Sequence, residues 1–118
     1  MLTEELIKVA VIRPVLKSEK QKLTNYRLDE TKNLASSLNT KVEFAQDFIL
    51  SEVRPATYIG KGKVEELHPF IKSVDAELVI VDAALSPVQQ RNLEKAWQTK
   101  VIDRTGLIIE IFASRAST

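Results

Sequence analysis

The chain has 118 residues, 44% of them hydrophobic and 28% charged, which suits a single domain that buries a core and stays dissolved. Seventeen Lys and Arg stand against sixteen Asp and Glu, a net charge of +1. The balance holds in both parts, with 9 basic and 8 acidic residues in 1–60 and 8 of each in 61–118. This argues against a strongly basic nucleic-acid binder and leaves room only for a local basic patch. The absence of cysteine excludes a disulfide scaffold, a thiolate metal site and a cysteine nucleophile, and it fits a reducing compartment.

At the amino end, Glu4 and Glu5 precede an apolar run of four residues, Val9 to Ile12, which is no secretory signal. No stretch approaches the roughly 20 apolar residues of a membrane span, so a soluble cytoplasmic protein with no membrane partner is expected. Ile7 to Arg13 (IKVAVIR) reads as a strand buried on both faces and ended by Pro14. Residues 14–23 are charged and without period, a loop and the segment most prone to disorder. From about Thr24 to Leu38 the positions Leu28, Thr31, Ala35 and Leu38 mark one helix face. Thr40 to Leu50 (TKVEFAQDFIL) alternates through Val42, Phe44 and Phe48 as a second strand.

A connection follows, punctuated by Pro55, Gly60 and Gly62. Val64, Leu67, Ile71 and Val74 then give a helix face, with Pro69 expected to kink or split that helix near His68. Leu78 to Val81 (LVIV) is the clearest buried strand, with Asp82 at its end. Ser86, Pro87 and Gln89 form three agreeing helix-start signals: an N-cap, a proline at the first helical position and a capping-box partner. Leu93, Ala96 and Trp97 form that helix's apolar face. Lys100 to Asp103 is a short fourth strand, and a last helix from about Thr105 carries Ile108, Ile111 and Phe112 on one side. That helix pattern has no Gly, Asn or Pro to stop it, as expected of a fragment of a longer chain. Strict alternation of strand and helix predicts an α/β domain over residues 1–118. Its four-stranded, mostly parallel sheet has the order 2-1-3-4, with helices on both faces and right-handed crossovers.

Gly60, Lys61, Gly62 and Lys63 invite a phosphate or RNA-backbone contact, since glycines let backbone N–H groups approach an anion at a helix amino terminus. The spacing is not that of a Walker loop, and the plainer reading of the same residues is a tight turn using glycine for unusual backbone angles. Asp82, Ser86 and Asp103 would line the crevice beyond the strand ends, between strands one and three, where α/β sheets bind ligands. Asp82 has Ala83 and Ala84 after it rather than a second acid, so a metal or paired-acid site gains little. Asp82 capping a loop and Asp103 pairing with Arg104 or a helix end is the plainer alternative. Gln89, Gln90, Arg91, Asn92 and Glu94 make a polar helix surface, either solvated or a contact face. His68, the one histidine, is expected to be exposed and inert. Ile108, Ile111 and Phe112 must be buried against the sheet or a neighbour, and any outward Leu107 and Ile109 would offer apolar surface on which an isolated domain could form a homodimer.

Three stretches, TYIGKGKVEEL (Thr57–Leu67), LSPVQQRNLE (Leu85–Glu94) and VIDRTGLIIEIFASRAST (Val101–Thr118), together resemble the N-terminal domain of the HflX-type ribosome-associated GTPases. The resemblance implies that a helical hairpin and a GTPase domain lie outside these residues, with GTP and Mg²⁺ bound there. No cofactor, catalytic residue or enzyme activity is then expected within this stretch. It further implies docking to the large ribosomal subunit and its rRNA, in ribosome splitting or rescue, and contact with the protein's own GTPase and helical domains. Lys61, Lys63, Arg91, Arg104 and Arg115 are the candidate rRNA contacts. Relatives often carry acids before L-S-P, where Ala83 and Ala84 stand here, and lack a proline at the place of Pro69, which predicts a shorter second helix. The rival readings are a nucleotide-binding enzyme module using the crevice at Asp82 and Ser86, and a purely intramolecular interaction domain.

Overall fold

The computed structural model describes residues 6–18 and 25–116. The elements are β1 (Ile7–Leu16), α1 (Asn25–Ser36), β2 (Thr40–Leu50), α2 (Lys61–Ser73), β3 (Leu78–Val81), α3 (Pro87–Trp97), β4 (Lys100–Asp103) and α4 (Arg104–Ala116). All strand pairs are parallel and the order is β2-β1-β3-β4, as the alternation predicts. A parallel sheet needs both faces covered. One face packs Ala10, Ile12, Val79 and Val81 under α2 and α3, through Leu67, Ile71, Leu93 and Trp97. The other packs Val9, Val11 and Ile80 under α1 and α4, through Ala35 and Leu107.

Pro14 does not end β1. Ile12 accepts a hydrogen bond from the Asp82 backbone N–H (2.8 Å), so the Ile12 backbone faces β3. Pro14, two residues on, faces the same side, beyond the end of β3 at Val81, where no ladder bond needs its missing N–H. β1 continues against β2 as far as Leu16, so Pro14 to Leu16 are strand rather than loop. Residues 19–24, the rest of the expected loop and the expected start of α1 at Thr24, lie outside the described residues.

β2 keeps its expected bounds but not its simple alternation. The register with β1 slips between Val9 and Ala10, leaving Glu43 as an extra residue. Val42 therefore joins the α1/α4 face while Phe44 and Phe48 join the α2/α3 face. Phe44 stacks on Phe70 of α2 with ring centroids 5.4 Å apart.

Pro69 likewise sits inside an unbroken α2 of 13 residues, so that helix is not split. The carbonyl it deprives is that of Glu65, which is exposed and can be hydrated. His68 is half-buried rather than exposed, and its Nε2 has no hydrogen-bond partner. In α3 the packed positions are Gln89, Leu93 and Trp97, while Ala96 is exposed. Trp97 is fully buried, and its indole N–H donates to the Val64 carbonyl of α2 (3.0 Å). Trp97→Phe, which removes that donor and some core volume, should cost about 1–3 kcal/mol in urea denaturation. A loss below a few tenths would show that the indole bond does not hold α2 to α3.

Candidate functional site

The strands end on one rim, and the predicted crevice lies there between β1 and β3. It is filled by the chain's own charges. The side chains of Arg13 and Asp82 are each 7% exposed. Asp82 Oδ2 accepts the Thr31 hydroxyl of α1 (2.6 Å) and lies 3.8 Å from Arg13 Nε. Asp82 Oδ1 accepts from Arg104 Nη1 (2.9 Å) at the first position of α4. Arg104 Nη2 also reaches Glu30 of α1 (3.2 Å), and Arg13 Nη1 lies 3.6 Å from Asp47 of β2. A single carboxylate thus ties β1 and β3 to α1 and α4, and through Arg13 the cluster extends to β2.

The hydrogen bond to Asp82 raises the Arg104 pKa above its ordinary value, against a lowering by desolvation, with Glu30 adding a further rise. A raised pKa contributes stability that is complete below the unfolded-state value and lost only as pH climbs through the folded one. For an arginine that window is strongly alkaline, so this contribution stays constant across neutral pH.

Asp103 and Ser86 are consumed as helix caps. Asp103 Oδ1 accepts the Gly106 N–H (2.8 Å) at the start of α4, and Oδ2 accepts the Leu85 N–H (3.0 Å). Ser86 and Gln89 form the predicted capping box, in which the Ser86 hydroxyl accepts the Gln89 N–H (3.1 Å) and Gln89 Oε1 accepts the Ser86 N–H (2.8 Å). The polar side chains of α3 are also largely structural. Gln89 Nε2 donates to the Arg54 carbonyl (2.9 Å) and Asn92 to the Ala56 carbonyl (2.9 Å). Gln90 donates to the Val101 carbonyl (2.7 Å), and Glu94 accepts the Val101 N–H (3.1 Å). The sequence gives Gln89 a capping role and a place on an outward polar helix surface, whereas it is buried. Its position four residues before Leu93, on the buried stripe, was the available sign that it also points inward.

The Gly60–Lys63 turn is built differently from either expectation. Neither glycine has a positive φ, and a Cβ at Gly60 or Gly62 would meet nothing within 4 Å. The left-handed residue is Tyr58, at φ 69°, held by reciprocal backbone bonds with Arg54 of 2.9 Å each. Gly60 caps α2 without a side-chain hydrogen bond. Lys61 is exposed, whereas Lys63 pairs with Glu66 (2.6 Å) and lies 4.6 Å over the Phe48 ring. Arg91 is exposed, Arg104 is committed to the cluster, and the side chain of Arg115 lies outside the described residues. Of the described candidate basic residues, Lys63 and Arg104 are engaged in ion pairs within the domain, and Lys61 and Arg91 are exposed.

On α4 the inward residues are Leu107, fully buried, and Ile111, rather than Ile108, Ile111 and Phe112. Ile109 is 59% and Phe112 69% exposed, and Phe112, with Ile108 and Ile111, lines a groove of about 470 Å³ between α1 and α4. Among the described residues, no group of three or more His, Asp or Glu could hold a metal ion, and no helix is long and apolar enough to cross a membrane.

Removing one partner of a buried ion cluster strands the others, so Asp82→Asn should cost about 3–5 kcal/mol. Glu30, 41% exposed, should cost at most about 1 kcal/mol as Glu30→Gln. Urea denaturation of both variants checks this, and equal losses would contradict the anchoring role of Asp82.

Comparison with known proteins agrees with this architecture. The GTP-binding GTPase N-terminal family matches residues 25–113. A GTPase HflX of Magnetococcus marinus is 48% identical over 91 residues, 77% of this chain and 21% of that protein. The GTPase HflX of Escherichia coli is 50% identical over 64 residues, 54% of this chain and 15% of that protein. The one of Flavobacterium psychrophilum is 32% identical across the whole chain and 29% of its own length. The chain thus spans between a seventh and a third of the length of these relatives. A crystal structure of a GTP-binding protein from Sulfolobus solfataricus in complex with GDP shares the fold, with a TM-score of 0.63 at 20% identity over 92% of this chain and 30% of that one. The chain belongs to the GTP-binding GTPase N-terminal family and corresponds to the N-terminal domain of HflX.

Proposed function

We propose that this domain is the ribosome-docking and regulatory part of an HflX-type GTP-binding protein that acts on the large ribosomal subunit in the cytoplasm. It is a single non-catalytic domain of a longer protein, whose GTP and Mg²⁺ are held outside these residues. The observation that carries this reading is the filled crevice. Arg13 and Arg104 share Asp82, with Asp47 and Glu30 as their further partners, where an α/β enzyme would open a ligand pocket, so the domain offers surfaces instead.

Two surfaces differ in chemistry. The exposed Ile109 and Phe112 ridge of α4 suits apolar packing with the helical and GTPase parts of the same protein. The α2 amino terminus, with its bare glycines and exposed Lys61, suits an rRNA phosphate. Lys63 is the weaker candidate of the pair, because an RNA contact would have to compete with Glu66 and Phe48.

In a full-length HflX-type protein carrying this domain, Lys61→Glu should weaken binding to the large subunit and lower the slope of log affinity against log salt by about one. Binding measured across a salt series checks this. An unchanged affinity and slope would remove Lys61 from the interface.

A further inference from the structure

The three stretches that carry the family resemblance are joined in space by a chain of contacts that runs through Asp103, Gln89 and the Arg54 backbone. At the base of α4, Asp103 accepts the Leu85 N–H (3.0 Å) and the Arg104 N–H reaches the Ala83 carbonyl (3.3 Å). Ser86 follows directly and is locked to Gln89 by both bonds of the capping box. The other end of the Gln89 amide donates to the Arg54 carbonyl (2.9 Å). Arg54 in turn fixes Tyr58 through two backbone bonds, and Tyr58 leads through the buried Ile59 to Gly60, the cap of α2. Gln89 is 8% exposed, and both ends of its amide are engaged.

One member of this chain of contacts has an unfavourable backbone conformation. Tyr58 is held left-handed, a region that costs a bulky L-residue free energy and persists only where its surroundings impose it. If Arg54 is released, Tyr58 can relax to ordinary backbone angles, and the Gly60–Lys63 turn loses its seat. At the opposite end, α4 is fastened mainly near its amino terminus, by the Asp103 cap, the Arg104 pairs and the buried Leu107. Arg104 gains nothing from its own helix there, because a cation at a helix amino terminus opposes the dipole. Its place is explained by the contacts it makes with Asp82 and Glu30.

We propose that Gln89 is a positioning residue that couples the base of α4 to the Tyr58–Lys63 turn, so that a displacement of α4 loosens that turn and an ordered turn holds α4 in place. Coupling of this kind is reciprocal. It joins the two surfaces assigned above to docking, yet it belongs to this chain alone, so its failure and the failure of the docking reading are separable.

Gln89→Glu isolates the link. A carboxylate still accepts the Ser86 N–H and keeps the capping box, but it cannot donate to the Arg54 carbonyl. Asp103→Asn perturbs the other end, since an amide retains one oxygen for the two N–H groups of Gly106 and Leu85. Hydrogen exchange of this chain, read at the amides of Arg54, Tyr58 and Val64, should speed up by about tenfold in each variant while the α3 amides stay protected. The double variant should exchange there no faster than Gln89→Glu alone, although the first turn of α4 remains loosened. The proposal is overturned if Asp103→Asn leaves those three amides at the parent rate, or if the two effects multiply independently. Should Asp103→Asn fail to fold, Arg104→Gln supplies the perturbation and is judged by the same two outcomes.

Discussion

The carboxylate of Asp82 is the constraint on which the rest depends. It is almost fully buried at the end of a four-residue strand, and a buried charge is tolerable only when paired and hydrogen-bonded. Its partners come from three other elements, so satisfying it fixes β1, α1 and α4 around β3. The apolar contacts on both sheet faces supply most of the driving force for collapse. The ion cluster specifies how the helices on one face are aligned at the strand ends, because only one arrangement brings Thr31, Arg13 and Arg104 to the same two oxygens.

The same rim shows why few polar residues remain for chemistry. Ser86 and Asp103 cap α3 and α4, Gln89 and Asn92 hold the 54–58 segment, and Gln90 and Glu94 hold β4. Residues that look like a binding constellation in the sequence are used to satisfy backbone groups that the loops would otherwise leave unpaired. Among the outward features of the described residues are the apolar ridge of α4 and the bare amino terminus of α2.

Much of the fold was legible because local signals agreed with tertiary demands. LVIV can only be a doubly buried strand in this setting, and Ser86-Pro87-Val88-Gln89 carries three independent start signals, all of them used. The misreadings arise where a local rule was overridden by the tertiary setting. Pro14 stays in β1 because β3 has already stopped, and Pro69 stays in α2 on a stretch where it and Glu65 are both exposed. Glu43 breaks the alternation of β2, since nothing in an isolated strand reveals a bulge. α4 is apolar at 107–109, 111 and 112, which leaves its inward face ambiguous until the Asp103 cap and the Leu85 contact fix its rotation. At the site, Asp82 was located by the strand-end rule. Its partners Arg13 and Arg104 are too distant in sequence for any spacing argument to join them.

The central claim is that this rim is closed by its own ion cluster. Its most direct test is nuclear magnetic resonance of the Arg13 and Arg104 guanidinium groups while Mg²⁺ with ATP or GTP is added to millimolar concentration. An intact cluster leaves the Nε–Hε signals of both arginines where they are throughout the titration. Saturable shifts at Arg13 and Arg104 would show that the crevice opens to nucleotide, and would replace the closed rim with a binding site.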